Sequence, residues 1–167
     1  MAFIGIVVPA DVARVLAQVE VPGTKTHPAD MHITMAYLGE NTPNEQLIKA
    51  SAACVIEAEK QSPFTVGVSR ITSFPSGDTG IPVIGRIISP ALHKFRESLC
   101  ARMDSLGVEY SKKFAYSPHV TLSYSEEPFT DLDIKPMSWL VSRITLWGGD
   151  EGGERYVTEV DLGKHNA

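Results

Sequence analysis

Apolar residues along this chain follow two periods. From Phe3 to Val8 they form a short continuous run closed by Pro9, as in a buried strand. Val12, Val15, Leu16 and Val19 then recur at i, i+3, i+4 and i+7, which predicts a helix with one buried face, and Asp11 suits its positive end. Pro22, Gly23 and Pro28 punctuate a loop, and Met31 to Leu38 is rich in strand formers and closes at Gly39. A second helix opens at Thr42-Pro43-Asn44-Glu45, where Thr42 can cap, Pro43 suits the first helical position and Glu45 completes a capping box. Its inward stripe is Leu47, Ile48, Ser51, Cys54, Val55 and Ala58. Phe64 to Phe74 and Ile81 to Ile88 are expected strands flanking an exposed turn from Pro75 to Gly80. Ser89-Pro90 starts a third helix that buries Leu92, Phe95, Leu99, Met103 and Leu106 and ends at Gly107. Strand-like runs follow at His119–Tyr124, Trp139–Trp147 and Arg155–Leu162, and the tail from Gly163 to Ala167 is expected to fray.

One arrangement occurs twice. Strand, helix, then a strand beginning His-x-Thr is found over residues 3–38 and again over 81–124. The final strands superpose position by position: His32-Ile33-Thr34-Met35-Ala36-Tyr37 against His119-Val120-Thr121-Leu122-Ser123-Tyr124. This pattern predicts an internal duplication, with residues 1–165 forming a single bilobal domain about a pseudo-two-fold axis. Strand side chains alternate faces, so His32, Thr34 and Ala36 are expected on one face and Ile33, Met35 and Tyr37 on the other. His119, Thr121 and Ser123 are likewise set against Val120, Leu122 and Tyr124, with both tyrosines assigned to packing. The polar, narrow face carrying His and Thr suits the wall of a cleft.

Composition narrows what such a cleft can hold. The 167 residues carry a formal net charge of −5, with no long Lys/Arg block. Neutralising a nucleic-acid polymer needs many cations, so a long polymer is not an expected partner, whereas a small nucleotide or an RNA end, with one phosphate needing only a few donors, stays open. No apolar run reaches the roughly 18 residues of a membrane span, so no membrane partner is expected. The opening segment lacks the features of a signal peptide. Cys54 and Cys100 sit within apolar helical patterns, as reduced core residues would, and the implied setting is cytoplasmic.

Two histidines and two threonines converging on one cleft suit phosphodiester chemistry. Cleavage needs a base for the attacking oxygen and an acid for the leaving oxygen, and imidazole supplies both forms near neutral pH. Threonine hydroxyls can hold the charge on the non-bridging oxygens. No cofactor or metal is called for by this scheme. At MHITMAYLGE and SPHVTLSY the chain resembles the 2H phosphoesterase superfamily, specifically its LigT-like branch of RNA 2′,3′-cyclic phosphodiesterases and 2′–5′ RNA ligases. The resemblance covers most of the chain and is weakest from Glu126 onward. It implies an α+β fold with two antiparallel sheets flanking a central cleft and helices outside. It further implies that His32 and His119 are the acid–base pair, without saying which is which, and that Thr34 and Thr121 bind phosphate. The activity implied is hydrolysis of a 2′,3′-cyclic, 2′–5′ or cyclic (oligo)nucleotide phosphodiester, including degradation of cyclic-nucleotide immune signals as in phage-type members. The alternatives are an RNA-end 2′,3′-cyclic phosphodiesterase or 2′–5′ ligase, and a non-catalytic nucleotide sponge.

Other side chains add weaker expectations. Phe74 and Tyr116 are placed to stack on a base, and Arg86, Lys112 and Lys113 to neutralise phosphate. The turn from Pro75 to Gly80 is a plain hairpin or a lid. His27 and Asp30, close to His32, raise a zinc alternative that lacks the usual ligand spacing. His93 is expected to be solvated, and His165 has no partner in sequence.

Overall fold

The computed structural model describes residues 1–75, 79–149 and 156–163. The chain runs β1 (Ala2–Val7), α1 (Ala10–Ala17), β2 (Thr24–Lys25), a 3-10 turn at Pro28–Asp30, β3 (His32–Gly39), α2 (Asn44–Lys60), β4 (Phe64–Ser73), β5 (Ile81–Ile88), α3 (Pro90–Leu106), β6 (His119–Ser125), β7 (Leu132–Val141), β8 (Arg143–Gly148) and β9 (Tyr156–Asp161). Along the hydrogen-bonded path the order is β7-β4-β5-β6-β3-β1-β8-β9, with β2 added to β6. All pairings are antiparallel. The path divides into two four-stranded halves, β7-β4-β5-β6 and β3-β1-β8-β9, joined by the single residue pair Ile33–Val120. This is the α+β arrangement of two antiparallel sheets expected from the sequence, with its seam reduced to one rung.

Helix α2 packs against α3, β8 and β9, while α3 packs against β3 and β4. The helices thus cover one face of the strands and draw both halves into one core, in which Ile4, Leu16, Ile33, Phe95, Leu99 and Leu146 are all fully buried. Helix α3 is built as its sequence predicts. The Ser89 hydroxyl accepts from the Leu92 amide at 3.2 Å, Pro90 opens the first turn, and Gly107 closes the helix at φ 73°, a left-handed conformation suited to glycine.

Helices α1 and α2 depart from expectation. Val15, Ile48 and Val55 are exposed, and the buried faces are Val12, Ala13 and Leu16 in α1 and Leu47, Ala50, Ala53, Cys54, Glu57 and Ala58 in α2. Alanines let α2 lie close to its neighbours, so the branched residues that form the more hydrophobic stripe face water instead. The capping box at Thr42 does not form: α2 starts at Asn44 with Pro43 as its cap residue, and the Thr42 hydroxyl turns back toward the Gly39 carbonyl.

The run Trp139–Trp147 is not one strand. It breaks at Ser142 into β7 and β8, which lie in different halves, six strand steps apart along the path. A flat sheet would separate them by roughly 29 Å at about 4.8 Å per step. One connecting residue cannot span that, so the sheet curls until the end of β7 meets the start of β8. The Leu162 amide donates to the Ser142 carbonyl at 2.9 Å, and the Gly163 amide donates to the Ala58 carbonyl at 2.7 Å, pinning the closing segment to this joint and to α2. Most of the expected frayed tail lies outside the described residues, as do His165 and residues 76–78 of the expected turn.

Candidate active site

The seam organises the site. An antiparallel register centred on Ile33–Val120 sets His32 opposite Thr121 and Thr34 opposite His119. Ile33 and Val120 are fully buried, whereas all four His and Thr side chains are half-buried, on the face away from the helices. Among the described residues neither threonine hydroxyl has a hydrogen-bond partner, so both remain available to a ligand.

Both imidazoles are oriented in the same way. His32 Nδ1 lies 2.8 Å from the Asp30 carbonyl oxygen, and His119 Nδ1 lies 2.8 Å from that of Ser117. A carbonyl only accepts, so each Nδ1 carries the proton, and each Nε2 is the nitrogen left to exchange protons with a ligand. The turn holding the Asp30 carbonyl is itself capped by His27, whose Nδ1 accepts from the Ala29 amide at 3.0 Å. His27 therefore supports the loop ahead of His32. No group of three or more His, Cys, Asp or Glu able to hold a metal occurs among the described residues.

Neighbouring strands hold the two motifs in matching registers. Val7 pairs with His32, and Arg86 pairs with His119. The Val8 amide donates to the Met31 carbonyl, and the Ile87 amide to the Pro118 carbonyl, in each case the residue before the histidine. Each motif strand also carries a bulge at its fourth position. Gly5 pairs with Thr34 but Ile4 with Ala36, and Ile84 pairs with Thr121 but Val83 with Ser123. The skipped residues are Met35 and Leu122, both buried. Their carbonyls accept from the Arg96 side chain at 3.1 Å and from the Thr26 amide at 2.9 Å.

The bulges correct the simple alternation. Beyond them Ala36 and Ser123 turn into the core, while Tyr37 pairs with Phe3 and Tyr124 with Pro82 on the histidine side. One extra residue shifts the period by one, which reverses the faces of everything that follows. The Tyr37 hydroxyl donates to Glu40 at 2.5 Å, which pushes its pKa up to about 12 and keeps it a neutral donor.

Aromatic rings flank both imidazoles. Phe3 lies 4.8 Å from His32 and stacks on Trp147 at 4.7 Å, with Trp147 itself 6.0 Å from His32. Gly5 makes this possible, because a Cβ there would meet the Ile33 carbonyl at 2.5 Å and the Trp147 ring at 3.2 Å. Met1, Phe3, Val7, Asp30, His32 and Trp147 line an open hollow of about 460 Å³. On the other side Phe74 meets His119 edge-on at 4.7 Å. Phe3 and Trp147 were not singled out in the sequence, since an aromatic on a strand is indistinguishable there from a core residue.

The remaining candidates separate clearly. The Tyr116 hydroxyl donates to the Thr34 carbonyl at 3.0 Å, and its ring lies under the Arg96 guanidinium at 4.6 Å and against His93 at 5.5 Å. With its face and hydroxyl so engaged, Tyr116 braces β3 and does not serve as a free stacking platform. Lys112 is taken up by Asp104 at 3.3 Å, and Lys113 lies over Phe114. Arg86 is exposed and, among the described residues, has no carboxylate partner. Cys54 is free and buried, with its thiol pushed up to about 12 by desolvation, so it is no nucleophile. Cys100 is also free and buried.

Electrostatics distinguish the histidines. Burial holds the His119 pKa below the ordinary 6.5, and the nearby His32 and Arg86 lower it further, against the raising effect of the Ser117 carbonyl. At neutral pH His119 is therefore an uncharged imidazole able to accept a proton at Nε2.

A family model described as the 2′-5′ RNA ligase superfamily matches residues 8–153. The chain is similar to the crystal structure of TT0787 from Thermus thermophilus, with a TM-score of 0.79 and 21% identity over 98% of this chain and 99% of that one. It is also similar to E. coli LigT complexed with 3′-AMP, with a TM-score of 0.66 and 18% identity over 98% of each chain. The match to LigT complexed with NADP+ has a TM-score of 0.66 and 21% identity, over 98% of this chain and 97% of that one. At these identities the likeness is one of fold. No protein of curated function matches the sequence.

Proposed function

Because this chain belongs to the 2′-5′ RNA ligase superfamily, we propose that it is a phosphodiesterase that opens or hydrolyses a small nucleotide's 2′,3′-cyclic or 2′-linked phosphodiester with His32 and His119 as its proton-transfer pair. The observation that carries this reading is the matched setting of the two imidazoles. Each is fixed by the carbonyl two residues earlier, and each lies opposite the other motif's threonine across the Ile33–Val120 rung. A pocket that only binds has no need of two ring nitrogens left unbonded in the same tautomer.

In this mechanism the diester phosphate sits between the strands, and the Thr34 and Thr121 hydroxyls donate to its non-bridging oxygens. His119 Nε2, uncharged at neutral pH, takes a proton from the attacking water as its oxygen bonds to phosphorus. The bond to the leaving ribose oxygen breaks, and a protonated His32 Nε2 delivers a proton to that oxygen. The hollow beside His32, walled by Phe3 and Trp147, has a size suited to a nucleoside. LigT has been crystallised with 3′-AMP and with NADP+, which supports a small-nucleotide ligand for this chain as well. Cyclic oligonucleotide signals present the same bond chemistry and belong among the substrates to be tried.

The test is a panel of 2′,3′-cyclic mononucleotides, 2′–5′ oligonucleotides, cyclic oligonucleotides and cyclic-phosphate-ended RNA, assayed with and without EDTA. Products are assigned by mass and by phosphate position. Turnover of at least one 2′-linked or cyclic substrate is expected to persist in chelator. His32→Ala and His119→Ala should each lower it by about 10²–10⁴-fold while nucleotide binding survives. Binding without turnover by the unaltered protein would make it a sponge, and abolition by EDTA would overturn the two-histidine scheme.

A further inference from the structure

The site is matched in backbone but not in charge. Across the strands the order of residues is Arg86 on β5, His119 on β6, His32 on β3 and Val7 on β1. Directly paired residues on neighbouring strands project from the same face with their Cβ atoms about 5 Å apart. Arg86 and Val7 therefore flank the histidine pair on its two outer sides. One flank carries a permanent cation, and the other an exposed valine beside the Phe3–Trp147 stack.

The scissile phosphate is already served by two imidazoles and two hydroxyls near the seam. Arg86 stands one strand farther out, on the side of His119 away from His32. Unlike Lys112, it is not neutralised by a carboxylate among the described residues, and its charge is felt at His119. Its fork of donors suits two oxygens of one phosphate. Resting on the phosphodiesterase reading of the cleft, we propose that Arg86 is a specificity-determining residue that holds a second phosphate of the substrate, beyond the scissile one, on the outer flank of His119. The substrate then has a fixed direction in the cleft, with a nucleobase at the Phe3–Trp147 end and its additional anion at the Arg86 end. A nucleotide bearing a second phosphate is preferred over one bearing only the diester.

Matched substrates test this. Adenosine 2′,3′-cyclic phosphate and 2′–5′ diadenylate are each compared with and without a 5′-phosphate, using the unaltered protein, Arg86→Gln and Arg86→Lys. Within a pair that is turned over, the phosphorylated member is expected to have a kcat/KM higher by roughly tenfold or more, mostly through KM. Arg86→Gln should collapse that ratio toward one, and Arg86→Lys should restore part of it. Because the side chain is exposed, melting curves are expected to show Arg86→Gln as folded as its parent. Turnover with no preference for the added phosphate, or a preference that survives Arg86→Gln, overturns the assignment of Arg86 and leaves the phosphodiesterase standing. If no substrate in this set or in the wider panel is turned over, the phosphodiesterase itself fails and this assignment fails with it.

Discussion

At the scale of single residues, the site depends on which nitrogen of each histidine is free. The Asp30 and Ser117 carbonyls settle that, and burial then makes His119 reluctant to take up a proton. The consequence for stability has a definite sign. In the unfolded chain the imidazole titrates near 6.5, above its folded value, so as pH falls through 6.5 the unfolded state gains its proton first. Stability is lost from there down to the folded pKa, and above 6.5 this group contributes no pH dependence. Denaturant unfolding at pH 7.5 and pH 5.5 should therefore show a smaller acid loss for His119→Gln than for the unaltered protein. Equal losses would contradict the assigned direction. The histidines and threonines were legible in the sequence because they stand out from the residues around them and recur with the same spacing. Phe3 and Trp147 did not, because an apolar side chain at a strand position carries no mark of which face it occupies.

At the scale of elements, the two bulges decide more than the strand boundaries do. Regular alternation placed His32, Thr34, His119 and Thr121 correctly and then misplaced Tyr37 and Tyr124, since an inserted residue leaves no compositional trace. A bulge also releases backbone groups from the ladder, and these must be satisfied elsewhere. Arg96 takes the Met35 carbonyl, while Tyr116, packed under Arg96, takes that of Thr34. Tyr116→Phe removes one such donor close to a phosphate-facing residue. It is expected to cost about 1 kcal/mol in denaturant unfolding and to lower kcat severalfold with little change in KM. An unchanged kcat would show that the brace does not reach Thr34. The helices teach a related lesson. Helix α3 follows its apolar stripe, but α2 buries alanines and leaves Ile48 and Val55 in water, because close approach to β8, β9 and α3 outweighs side-chain hydrophobicity.

At the scale of the whole molecule, one half is interrupted along the chain by the other. One half takes β1 and β3 from the beginning and β8 and β9 from the end, and the other takes β4 to β7 from between them, with the short β2 added to β6. The duplicated pattern over 3–38 and 81–124 suggested two lobes, but the crossing at Ser142 was hidden within what looked like one long strand. Since all the helices feed one core, thermal unfolding is expected to be a single transition seen alike by near- and far-ultraviolet circular dichroism. A fragment spanning 61–142 should remain unfolded, and a folded fragment would refute that interdependence.

The strand ladder between the halves is a single rung, Ile33–Val120, but other bonds cross beside it. Ser111 donates its amide to the Tyr37 carbonyl, Arg96 reaches the Met35 carbonyl and Tyr116 that of Thr34. The spacing of the two imidazoles is therefore set by side chains and a loop as much as by the sheet. A change at one of these struts, remote from any phosphate, is expected to alter the fit of a ligand while leaving both histidines in place.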